Sequence, residues 1–273
     1  MDLQAREPYL VGPESLRWRF LSEADAERLY EHNPELQASP DKYCPTCHKT
    51  GYYVWQGVNV ECDCQLQLQL HKHYLNAGIG TSYQRMSWAD YEGDETARAL
   101  CEKYYDARVN LINGGTGLMF LGGFGTGKTM TLNLLLKQLL WDKYAVYATT
   151  FTSMIEMFTA GWKSMEEQAL FQKKVKQSKV LLLDDIGKEM RTRNNLSEST
   201  FDDVLRSRVQ DGRPTFLTSN MTIEEMGQGY GSAIFSLLQE VSIVHEFTGE
   251  DYRTKSNQRL LDEALSGIVR PIQ

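Results

Sequence analysis

The sequence predicts an α/β domain, a parallel sheet flanked by helices, with a small cysteine-bearing module ahead of it. Three observations predict this. From Gly117 onward, short apolar strand-like runs alternate with helical stretches, the pattern of a parallel sheet covered on both faces. A glycine-rich loop, GGFGTGKT at residues 122–129, stands between one such run and a helix. Well upstream, four cysteines bracket a short aromatic segment, CPTCHKTGYYVWQGVNVECDC, at residues 44–64.

The bulk properties fit that organisation. The chain has 273 residues, 41% hydrophobic and 24% charged, which suits one medium domain and a smaller one. Lys and Arg number 29 against 36 acids, a net charge of -7. Extensive coating of duplex nucleic acid by bulk charge is therefore disfavoured, and any nucleic-acid contact is expected to be local. The first residues, MDLQAREPYL, lack the apolar core of a signal peptide, and no apolar run is long enough to span a bilayer. The expected location is the cytoplasm, without membrane contact.

Taken in order, residues 14–32 carry Leu16, Phe20, Leu21, Ala24, Leu29 and Tyr30 at helical spacing. That predicts a helix that packs on its own domain or docks a partner. Residues 33–40 hold two prolines and read as a linker. The run QLQLQLHKHYLN alternates as a strand would, but is rich in helix formers and is assigned to a helix. Residues 95–112 predict one further helix before the turn NGGTG. Strands are then expected at GLMFL, YAVYATT, KVLLLDDIG, PTFLTSN and SIVHEFT. Helices are expected at TMTLNLLLKQLLWD, FTSMIEMF, EEQALFQKKVKQ and STFDDVLRSRVQDG.

The glycine loop satisfies G-x-x-x-x-G-K-[ST] in its required strand–loop–helix context. Its backbone N–H groups, from Gly122, Gly123, Phe124, Gly125, Thr126 and Gly127, are expected to curl around phosphate oxygens at a helix N-terminus. Lys128 is expected to reach the β and γ phosphates of a nucleotide, and the Thr129 hydroxyl to sit on Mg²⁺. A second apolar run ends in Asp184 and Asp185. Asp184 is assigned to the Mg²⁺ shell and Asp185 to the attacking water. Together these features predict a P-loop NTPase. Asn220, ending a third apolar run, either contacts the γ-phosphate or the water, or else stops the strand or caps the helix that starts at Thr222.

The cysteines are spaced C-x2-C, fourteen residues, then C-x-C. A reducing cytosol argues against disulfides. Two close pairs around a hairpin-like stretch suit tetrahedral Zn²⁺ held by Cys44, Cys47, Cys62 and Cys64. His48, His71 or His73 is a possible replacement for one thiolate, and four reduced thiols are the alternative. Cys101, alone in a helical stretch, reads as a buried apolar residue.

The segments GGFGTGKT, LLLDDIG, RSRVQDGRPTFLTSN and SIVHEFTGEDYR together resemble the AAA+ ATPases of the DnaC/DnaI helicase-loader type, to which the IstB-like ATPases are related. The resemblance covers about residues 78–255 and includes the lead-in GIGTSYQRMSWADYEGD. It implies an AAA+ core over residues 78–273 and an N-terminal helical and zinc-binding docking domain over residues 1–77. It also implies a first sensor at Asn220 and a nucleotide-sensing arginine at Arg253. Many family members carry an arginine finger after the first sensor, but GSAIFSLLQEVSIV holds no arginine. Arg206 and Arg208 are the nearest upstream candidates, and Arg208 is taken as the site residue. Weak hydrolysis by the isolated protein is expected.

By the same resemblance, the expected partners are a replicative hexameric helicase and single-stranded DNA, with self-assembly into a ring or spiral. Lys163, Lys173, Lys174, Lys176, Lys188, Arg191 and Arg193 are candidates for the DNA track, or else a solvated face. An IstB-like regulator of a DNA transposase is the alternative function, and an ATP-switch interaction protein a third.

Overall fold

The computed structural model describes residues 31, 52–187 and 195–253, and residues 258, 261, 262, 265 and 272 beyond them. The predicted helix at residues 14–32, Glu31 apart, and Cys44, Cys47, His48, Lys188, Arg191 and Arg193 lie outside the described residues, and so does the side chain of Cys64. The chain divides into two compact units: Met1–Asp90 with Trp141–Lys143 and Glu263–Gln273, and Tyr91–Leu140 with Tyr144–Asp262.

In the first unit, β1 (Tyr52–Trp55) and β2 (Val58–Glu61) pair antiparallel across the two residues Gln56 and Gly57. Both turn residues have positive φ, 49° and 79°, the twist that a two-residue hairpin requires. Helix α1 (Asp63–Asn76) contains the alternating Gln/Leu run, as its composition predicts. Its end is a Schellman motif. Ile79 N–H donates to Tyr74 O and Gly78 N–H to Leu75 O, at 2.8 and 2.9 Å. Gly78 takes the left-handed position at φ 74°, and Ile79 and Tyr74 are fully buried. A short helix α2 (Thr81–Gln84) follows. Gln84 is buried, donating to Ile79 O at 2.9 Å while its Oε1 lies 2.6 Å from His71 Nδ1.

The second unit begins with α3 (Glu95–Asp106), capped by the Asp94 carboxylate, which accepts from Thr96 and Ala97 N–H. The single helix expected over residues 95–112 is broken at Ala107, where α4 (Arg108–Asn113) starts. Ala107 leaves helical geometry, and Arg108 turns back to donate to Tyr105 O at 2.8 Å. Then follow β3 (Gly117–Gly122), α5 (Lys128–Trp141), β4 (Val146–Thr150), α6 (Phe151–Ala160) and α7 (Met165–Phe171). A single π turn (Gln172–Lys176) leads to β5 (Val180–Ile186), α8 (Asn195–Gln210), β6 (Thr215–Ser219), α9 (Ile223–Val241) and β7 (Ser242–Phe247).

The five strands form one parallel sheet in the order β4-β5-β6-β3-β7. All five are the runs expected from sequence. A central strand of a covered parallel sheet is apolar on both faces, and β3 and β5 are buried along most of their length. The core packs Met119, Leu121, Leu181, Leu183 and Leu217 from the sheet against Phe151, Phe201 and Tyr230 from the helices. No helix among the described residues is long and apolar enough to cross a membrane.

Candidate nucleotide site

Strand order brings the site together. With β6 between β3 and β5, the C-terminal ends of three strands converge on the loop at residues 122–129. Loops that leave the carboxyl ends of parallel strands form the ligand crevice of such sheets. Gly122, Gly125 and Gly127 adopt φ of 128°, 71° and 97°, conformations that side chains oppose. A Cβ at Gly125 would overlap the Asp251 carboxylate, and one at Gly122 would overlap Phe247 O. The loop is closed internally by Thr126 Oγ1 donating to Gly123 O at 3.0 Å. Phe124 stands out at its tip, 57% exposed.

Lys128 is buried at the first turn of α5. Its ammonium donates to Gly122 O, Gly123 O and Asn220 Oδ1 at 2.8, 2.6 and 3.1 Å. Burial lowers its pKa, the Asp185 and Asp184 charges oppose that, and the Arg253 charge adds to it. The ammonium is thus set among the loop carbonyls, beside both acids. Asn220 links the two motifs. Its Oδ1 accepts from Lys128, which only donates, and its Nδ2 donates to Asp185 Oδ1 at 3.0 Å. The helix cap that was the alternative for Asn220 is filled by Thr222, in a capping box with Glu225.

Thr129 Oγ1 donates to Asp184 Oδ1 at 2.7 Å. A hydroxyl and a carboxylate oxygen placed together fit the hard oxygen preference of Mg²⁺, and these two residues would hold the ion. Sequence reasoning named Asp184, Asp185 and Asn220 but missed Thr218, whose Oγ1 also reaches Asp184 Oδ1, at 2.6 Å. It also missed Asp251 and Tyr252. Tyr252 N–H donates to Gly125 O at 3.0 Å, which seats the segment bearing Arg253 against the glycine loop. The signal for that seating was present in the glycine at position 125, but its partner lies 127 residues on. Arg253 is exposed, with its backbone N–H on Asp251 Oδ1.

Arg208 requires a correction. It is 0% exposed. Its guanidinium donates to Val175 O, Ser178 O, Pro214 O and Thr215 Oγ1, at 2.8, 3.0, 2.7 and 3.0 Å. Burial lowers its pKa to about 9. A side chain so enclosed does not reach a neighbouring subunit's phosphate, so Arg208 is a structural arginine. Arg206 is exposed and paired with Asp202 at 2.7 Å. Among the expected DNA-track residues, Lys176 pairs with Asp203 at 2.7 Å and Lys174 lies over the Tyr147 ring, while Lys163 and Lys173 are exposed.

Cys62 is buried at the N-cap of α1, and no group of three or more His, Cys, Asp or Glu side chains among the described residues is placed to hold a metal. Cys101 is buried, as expected, and burial pushes its thiol up.

The sheet order, glycine loop and paired strand-end acids make up a parallel-sheet domain with a loop of the P-loop type. Residues 118–220 match the family described as "ATPase family associated with various cellular activities (AAA)". The chain is 33% identical over 155 residues to the "Replicative helicase loader DnaI" of Bacillus subtilis (strain 168), a match covering 54% of this chain and 46% of that protein. It therefore spans about half the length of this curated relative. The crystal structure of the DnaC helicase loader is similar in fold, with a TM-score of 0.51 at 20% identity, covering 62% of this chain and 100% of that one. Domain III of the Thermotoga maritima replication initiation protein DnaA has a TM-score of 0.53 at 14% identity, covering 70% and 77%. The chain resembles the AAA+ ATPases of the DnaC/DnaI helicase-loader type.

Proposed function

We propose that this chain is an ATP-dependent loader of a replicative hexameric DNA helicase, binding the helicase through residues 1–77 and helping to place it on single-stranded DNA. The observation that carries this reading is the 33% identity over 155 residues to a protein named as a replicative helicase loader. The assembled nucleotide site supports it. In this reading the loop N–H groups hold the phosphates. Lys128 would exchange its carbonyl partners for phosphate oxygens, and Thr129 and Asp184 would hold Mg²⁺, whose charge would offset that of the phosphates. Asp185 accepts a proton from the attacking water, and Asn220 orients it. Arg253, seated beside the glycine loop, senses the nucleotide.

With Arg208 buried, hydrolysis by the isolated chain is slow, since an arginine finger is worth ~10³–10⁵ in rate where one exists. A partner or a second copy in a ring or spiral supplies the missing charge. Cys44, Cys47, Cys62 and Cys64 would hold a zinc ion that stabilises the N-terminal module, in support of which the hairpin β1–β2 lies between the two cysteine pairs in sequence. Protein purified without chelator is expected to carry stoichiometric zinc, and its absence defeats that assignment.

The test of the loader reading is a pull-down of the cognate replicative helicase by the full chain and by a chain lacking residues 1–75. Capture by the first and not the second is expected. Failure of the full chain to bind refutes the loader, and capture that survives the deletion refutes the docking segment.

A further inference from the structure

We propose that Thr218 is a positioning residue for the two acids of the nucleotide site, acting through its hydroxyl. The proposal rests on the nucleotide-site reading above and assigns a role within it.

The pairing of β5 with β6 carries the argument. Leu183 faces Leu217 and Ile186 faces Ser219. Two residues, Asp184 and Asp185, therefore stand opposite Thr218 alone, which is a β-bulge, a device that re-aims side chains beside active sites. At the bulge Asp185 takes φ 58°, a left-handed conformation uncommon outside glycine. Its N–H is directed to Thr218 Oγ1, at 2.9 Å. The same hydroxyl donates its one proton to Asp184 Oδ1 at 2.6 Å. The lone pair takes the backbone and the proton takes the carboxylate, so the hydroxyl's direction is fixed at both ends. It is 1% exposed, and water does not compete for either bond.

Two consequences follow. Asp184 Oδ1 is held by hydroxyls from two sides, Thr129 on α5 and Thr218 on β6. Its orientation toward a cation at Thr129 thus does not depend on the Thr129 proton alone. The backbone turn held by Thr218 also aims the Asp185 carboxylate at Asn220 Nδ2, 3.0 Å away. Outer partners of this kind typically contribute about 10–100-fold to metal affinity or activity.

A core threonine that merely fills space makes the opposite demand on substitutions, and that separates the two roles. Thr218→Val keeps the shape and removes the hydroxyl, whereas Thr218→Ser keeps the hydroxyl and removes a methyl. Binding of a fluorescent ADP analogue is titrated with Mg²⁺ and again in EDTA. Thr218→Val is expected to need about 10–100-fold more Mg²⁺ for half-maximal effect, with affinity in EDTA unchanged. Thr218→Ser is expected to behave as wild type. If Thr218→Val does not fold, Thr218→Ala carries the same expectation.

Wild-type Mg²⁺ dependence in Thr218→Val, or its loss in Thr218→Ser, overturns the proposal and leaves the nucleotide site standing. Absence of Mg²⁺-dependent binding in the wild type, or its persistence in Lys128→Ala, overturns the site reading itself.

Discussion

Asp185 combines strain and charge at one position. Its left-handed backbone costs a non-glycine residue about 1–2 kcal/mol, and the return is a carboxylate set against Asn220 beside the buried Lys128. The two properties separate by mutation. Asp185→Gly is expected to hold or raise stability by about 1 kcal/mol while lowering hydrolysis about 10²–10⁴-fold. Asp185→Asn, which tolerates the same backbone, is expected to lose hydrolysis similarly and keep nucleotide binding. Denaturation midpoints and single-turnover rates check both, and retained hydrolysis in either variant removes Asp185 from the chemistry. Arg208 behaves in the reverse way. Deleting its guanidinium leaves several buried carbonyls without a donor, at about 1–3 kcal/mol each where water does not replace it. Arg208→Ala is expected to lose at least about 3 kcal/mol of stability in urea and to leave hydrolysis per folded molecule unchanged. Arg208→Lys restores only part of that, because an ammonium cannot span the fork.

Between elements, two features join local conformation to the sheet. Asp94 caps α3 and reaches His245 on β7 at 3.0 Å. Burial alone would raise its pKa, but the His245 hydrogen bond, the Ala97 and Thr96 N–H groups and the His245 charge bring it below its ordinary value of 3.8. A depressed carboxylate contributes stability above its unfolded pKa and loses it as pH falls through the lower folded value. Asp94→Asn keeps a good N-cap and removes the charge. Its deficit against wild type is therefore expected at neutral pH, should start to shrink at about pH 4 and should close once pH falls through the lower folded value. A gap that persists at low pH would instead point to the cap. Gly231 breaks α9 at φ 78°, ψ 156°, nearly a glycine-only conformation. A Cβ there meets nothing within 4 Å. Gly231→Ala is nonetheless expected to cost about 1–3 kcal/mol by chemical denaturation, from backbone strain alone. All five sheet strands were legible because apolar runs are local signals, and the start of α9 was placed to within one residue, although its cap is Thr222 and not Asn220. The break at Ala107 and the kink at Gly231 were not, because backbone geometry there overrides a helical pattern. Thr218 was not legible either: its role follows from a bulge on another strand.

For the molecule as a whole, the candidate nucleotide site gathers residues that the chain separates by more than a hundred positions. Lys128 and Thr129 start α5, Asp184 and Asp185 lie in β5, Asn220 follows β6, and the segment with Tyr252 closes on Gly125. The motifs were readable one by one, and the strand order that joins them explains why Asn220 lies between acid and lysine. The seating of Tyr252 depends on a tertiary contact that no local pattern carries. A ligand that binds only the assembled site adds stability by mass action, about 2.7 kcal/mol at a hundredfold excess over its dissociation constant. Mg²⁺ with ADP is therefore expected to raise the unfolding midpoint of the wild type. Gly125→Ala forces a methyl into the Asp251 carboxylate at a positive φ, and should lose that increment by distorting the loop and unseating the Tyr252 contact. Lys128→Ala should lose it by removing the phosphate partner. Arg208→Ala, destabilised at the opposite end of the strands, should unfold earlier yet gain the full increment. An increment that survives in Gly125→Ala would show that the loop binds nucleotide without the segment packed against it.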